Sequence, residues 1–127
     1  MTGMTRILLA GAVVAATTGF AQADQLLGTY VARISDNDHF ASDGYRLDTA
    51  AQMVRQDRAN WHKFGRGDRE DQDDPWFAST ASRAKFERML SKGGAMNQAT
   101  RRAIAGGDPV IEVEVYRNSV RVRVIGY

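Results

Sequence analysis

The stretch that decides the fold is Ile111-Glu112-Val113-Glu114-Val115-Tyr116-Arg117-Asn118-Ser119-Val120-Arg121-Val122-Arg123-Val124. Apolar residues hold every second position on both sides of a polar gap. That period of two sets one face of a strand on a core and the other in water. Two such runs, so close in the chain, predict a β-hairpin. A two-residue loop at Asn118-Ser119 places Val115 opposite Val122 and Val113 opposite Val124. The same register places Glu114 across from Arg123 and Tyr116 across from Arg121. A three-residue loop without a bulge would set valine against arginine, so parity favours two residues.

A two-stranded ribbon is marginal alone, so a third strand is sought upstream. Leu26 to Ile34 supplies it, with Leu26, Tyr30, Ala32 and Ile34 on one face and Gly28 as its weak point. Ser35 to Asp48 has the Asp, Asn, Ser and Gly density of a loop. A helix follows: Thr49 and Gln52 have capping-box spacing, and Gly65 suits the stop. Its apolar stripe is Ala50, Val54, Trp61 and Phe64 beside Met53, with Asp57 in the middle. Arg66 to Phe77 is a loop that Pro75 keeps from turning helical. Helices are expected over Thr80–Lys92, with Phe86, Met89 and Leu90 inward, and over Asn97–Ala105, with Asn97 as N-cap. The order β-α-α-α-β-β predicts an α+β fold. A small three-stranded antiparallel sheet, the N-terminal strand plus the C-terminal hairpin, packs against two or three helices.

The 127-residue chain has room for one domain. Residues 1–23 read as a secretory signal peptide: Arg6, the apolar run Ile7 to Ala16, then Ala21-Gln22-Ala23 for cleavage. The mature domain is then 24–127, with no membrane span after cleavage and a periplasmic or secreted location. The chain has no cysteine, which excludes disulfides, thiolate zinc sites and thiol catalysis. Export argues against nucleotide cofactors and against nucleic acid as a partner, although thirteen of the sixteen basic residues from 24 onward are arginine.

Residues 36–77 hold ten acidic and six basic side chains, together with both histidines and both tryptophans. Within them, Asp68, Glu70, Asp71, Asp73, Asp74, Trp76 and Phe77 form the expected partner-binding loop. Trp76 and Phe77 are expected to pin it onto Trp61 and Phe64, leaving the three aspartates Asp71, Asp73 and Asp74 free of any stability role. The same five carboxylates are oxygen ligands of the type Ca²⁺ gathers, roughly six to eight at a time, but no EF-hand spacing is present. Catalytic candidates are His39 and His62, with Asp57 or Asp38 as base and orienter, for a small secreted hydrolase. No nucleophile elbow, H-E-x-x-H or phosphate-cradling glycine loop accompanies them. Asp57 on an apolar stripe needs a partner, such as Arg33 or an amide of the 36–43 loop. The leading expectation is a non-enzymatic binding or accessory protein that contacts another envelope or secreted protein, with no cofactor. The alternatives are the hydrolase and a calcium-stabilised module.

Overall fold

Alternation, capping and glycine stops build the elements in the order expected. The computed structural model describes residues 23–127. The proposed export signal lies outside the described residues except for Ala23. Strand β1 is Leu26–Arg33, followed by a one-turn 3-10 helix, Asp36–His39, in what reads as loop. Helices α1 (Ala50–Phe64), α2 (Thr80–Leu90) and α3 (Gln98–Gly106) come next, then strands β2 (Val110–Tyr116) and β3 (Val120–Gly126). The sheet is antiparallel, with β2 central in the order β1-β2-β3. No helix among the described residues is long and apolar enough to cross a membrane.

The core forms between one face of the sheet and the helices. Tyr30, Ala32 and Ile34 meet Ile111, Val113, Val115, Val120 and Val122 there, covered by Met53, Val54, Phe86, Leu90 and Ile104. Thr49 caps α1 as expected: its side chain accepts from the Gln52 amide, and Gln52 Oε1 accepts from the Thr49 amide. Gly65 ends α1 at φ 62°, a left-handed conformation that glycine adopts without Cβ strain. Asn97 caps α3 through the Thr100 amide.

Three details differ from expectation. Leu26 is exposed, and pairing with β2 slips between Leu26 and Gly28. Phe64 leaves the core and Trp61 is only half-buried; the buried side of α1 runs instead through Ala50, Ala51, Met53, Val54, Asp57, Arg58 and Asn60. The hairpin turn sits one residue earlier, at Arg117-Asn118, because the Tyr116 amide donates to the Ser119 carbonyl. Asp24 holds it there, accepting from the Asn118 amide at 3.0 Å and Ser119 Oγ at 2.6 Å. Valine still faces valine, as Val113 with Val122 and Val115 with Val120. The charged partners become Glu114 with Arg121 and Glu112 with Arg123.

Candidate functional site

The most unusual residue of α1 is Arg58, whose side chain is 0% exposed. A guanidinium removed from water needs counter-charges and acceptors on every side. Its Nε donates to Asp57 Oδ2 at 2.8 Å, and its Nη1 donates to Asp74 Oδ2 at 3.0 Å and to the Gln72 carbonyl at 2.8 Å. The plane lies 4.2 Å from the Tyr30 ring centroid, a cation–π contact. Burial alone would lower the Arg58 pKa; Tyr30, Asp57 and Asp74 around it raise it instead. Asp57 is buried, as its place on the stripe requires, but its partner is Arg58 rather than Arg33. Burial pushes the Asp57 carboxyl well above the usual range, against the opposing pull of Arg58. Two buried donors, Tyr30 Oη and Arg58 Nη2, find no partner among the described residues.

The acidic loop is built into this centre. Asp74 is buried and accepts four ways: Oδ1 from the Trp76 and Phe77 amides, Oδ2 from Arg58 and in a 2.7 Å contact with His62 Nε2. Burial raises its pKa, and His62, Arg58 and the two amides together pull it below the usual value. Asp73 accepts from Trp61 Nε1, and Glu70 pairs with Arg33 at 2.6 Å. Asp71 accepts from the Arg33 and Asp68 amides. With Gln72, whose amide donates to the Val31 carbonyl and whose side chain accepts from the Val31 amide, it covers the outer edge of β1. Trp76 and Phe77 do pin the loop, but onto other partners. Phe77 stacks on Phe86 at 4.0 Å and meets Tyr30 edge-on, while Trp76 lies over Gly28. Asp71, Asp73 and Asp74 therefore serve the fold, contrary to the expectation that stability would not depend on them.

The five loop carboxylates do not converge on one point. Two smaller groups bring ligand atoms within 4.8 Å of one another: His62 with Asp73 and Asp74, and Asp38 with Asp57 and Asp68. In the first, Asp74 is already engaged by Arg58. The second is oxygen-only and draws on three elements, the 3-10 turn, α1 and the loop, although its Asp57 is likewise paired with Arg58. Asp38 accepts from the Ser35 amide and Asn60 Nδ2, yet burial pushes its pKa up to about 6. Burial likewise raises Asp68, with Asp71 and Glu70 adding repulsion. Arg58 and Asn60 were missed from sequence, where no local signal in α1 marks them, and Asp38 was considered only as a base or orienter for a histidine.

The two histidines serve separate places. His39 is buried, with Nε2 2.8 Å from the Gly107 carbonyl at the end of α3, and His62 belongs to Asp74. Among the described residues neither is hydrogen-bonded to Asp57.

The opposite flank of α1 carries a surface feature that joins Phe64, which the sequence reading placed in the core, to Phe40 of the 35–48 loop. Phe40 and Phe64, each 41% exposed, line a groove of about 250 Å³ with Asn37, Ser42, Gln56 and Arg66. Arg46 lies over the Phe40 ring at 5.4 Å, and Lys63 and Arg66 lie over Phe64 at 5.3 and 5.7 Å. Fold and surface thus define a small α+β domain with a buried ionic centre and an aromatic, cationic groove. Compared with known protein families, curated proteins and solved structures, the chain matches none.

Proposed function

We propose that this is a small exported binding or accessory protein, without catalysis of its own, that contacts another envelope or secreted protein. The observation that carries the reading is the Phe40–Phe64 groove. Two large aromatic side chains stay partly outside a core that takes in Phe77 and Phe86, and each forfeits a fraction of the roughly 1.5–3 kcal/mol that full burial is worth. Aromatic side chains ringed by arginine are the composition of binding hot spots. The frame behind them, the C-terminal turn of α1 and the 3-10 turn tied to it by Asn60, holds the surface in place. Export rests on the pattern of residues 1–23. The test is affinity capture from periplasmic extract with wild type and a Phe40→Ala/Phe64→Ala variant as baits. A partner retained by wild type and lost by the variant supports the reading; identical captures from both overturn it.

A second reading, a calcium-stabilised module, is favoured by one observation: Asp38, Asp57 and Asp68 converge while two of the three are buried. A cation there would relieve mutual repulsion among carboxylates that burial already disfavours as anions. A melting temperature raised by Ca²⁺ in wild type but not in Asp68→Asn supports it. No shift with Ca²⁺ rejects it.

A further inference from the structure

We infer that the Phe40–Phe64 groove takes an acidic peptide segment, seating one apolar side chain between the two rings and setting flanking carboxylates against Arg46, Lys63 and Arg66. The inference rests on the binding reading above and adds the chemistry of the partner. Charge complementarity carries it. Among the described residues no carboxylate forms an ion pair with Arg46, Lys63 or Arg66. Of the carboxylates nearby, Asp43 accepts from the Tyr45 amide and Asp38 from Ser35 and Asn60, while Asp68 shares the adjoining pocket with Arg66 without forming an ion pair with it. The three cations instead lie over ring faces, so an anion approaching the groove meets positive charge without displacing an existing partner.

The floor of the groove decides between a peptide and a lipid surface. The residues that line the groove include Asn37, Ser42 and Gln56, all with polar side chains. Gln56 Nε2 already donates to Ser42 Oγ and Asn60 Oδ1. An extended peptide offers backbone N–H and C=O groups to such a floor. A bilayer would desolvate it without replacement hydrogen bonds.

The experiment selects from a displayed library of random dodecapeptides on the immobilised full-length protein, with Phe40→Ala/Phe64→Ala as counter-selection. Enriched sequences with an apolar residue between Asp or Glu are the expected result. A fluorescent synthetic peptide of that sequence should then lose tenfold or more in affinity on Phe64→Ala or Arg66→Glu, and weaken steeply as salt rises. Melting curves confirm that these exposed-site variants stay folded. Groove-dependent sequences without acidic residues would overturn the acidic class yet leave the binding reading standing. No groove-dependent sequence at all would overturn both. Groove-dependent binding to phosphatidylglycerol vesicles, with no peptide selected, would overturn the peptide assignment in favour of a membrane surface.

Discussion

Arg58 shows how one side chain organises its surroundings. Replacing it with methionine leaves Asp57 and Asp74 buried without their cation, a loss on the order of 3–5 kcal/mol. Glu70→Gln, at the partly exposed pair with Arg33, should cost far less when both variants are unfolded in urea. Equal losses for the two variants would refute the ranking. Tyr30→Phe tests the other side of the centre. The hydroxyl has no partner among the described residues, so removing it should leave stability unchanged or raise it by about 1 kcal/mol. A clear loss would mean that the hydroxyl is satisfied. Asp57 could be recognised from its place on an apolar stripe. Arg58 could not, because a neighbour one position along a helix points about 100° away and is buried only where something covers that flank. The cover is the 65–77 loop, and nothing local in α1 announces it.

At the scale of elements, the hairpin separates what alternation decides from what it leaves open. Alternation assigned each side chain of β2 and β3 to its face, and parity kept valine opposite valine. The turn position depended on Asp24, ninety-four residues before Asn118, so local pattern alone placed it one residue late. A double-mutant cycle reads the register directly. Glu112 with Arg123 should couple by about 0.2–1 kcal/mol and weaken in salt, since Arg123 is 68% exposed, while Glu114 with Arg123 should show none. The reverse result would restore the later turn. Val113→Ala and Val122→Ala should each cost more than the ion pair, because both face the core. The loop from 65 to 77 was read as a ligand surface. It also covers the edge strand β1, and Gly67 shows how tightly it lies. A Cβ there would sit 2.5 Å from the Trp61 ring, so Gly67→Ala should destabilise by about 1–3 kcal/mol.

For the whole molecule, the carboxylates split into two populations with opposite pH behaviour. Asp38, raised to about 6 by burial among Asp57, Asp68 and Asp71, binds a proton in the folded chain that the unfolded chain releases. Stability should therefore fall as pH rises from about 4 to 6, by on the order of 3 kcal/mol, and Asp57 and Asp68 act in the same direction. Asp74, Asp73 and Glu70 are lowered, so their contribution disappears only as pH falls below the ordinary carboxylate range. Melting temperatures should peak near pH 4 and decline toward pH 7. A flat or rising curve over that interval would contradict the buried-carboxylate assignment. The order of elements and the core face of the sheet were legible in the sequence. The division between an internal ionic centre and an external groove was not, because it depends on which loop folds over which side of α1. That division is tested most directly by urea unfolding of Asp74→Asn. An asparagine retains an oxygen for the Trp76 and Phe77 amides but turns an amide donor toward Arg58. The account predicts a loss of about 3 kcal/mol relative to wild type; an unfolding midpoint unchanged from wild type would return the acidic loop to the surface and contradict it.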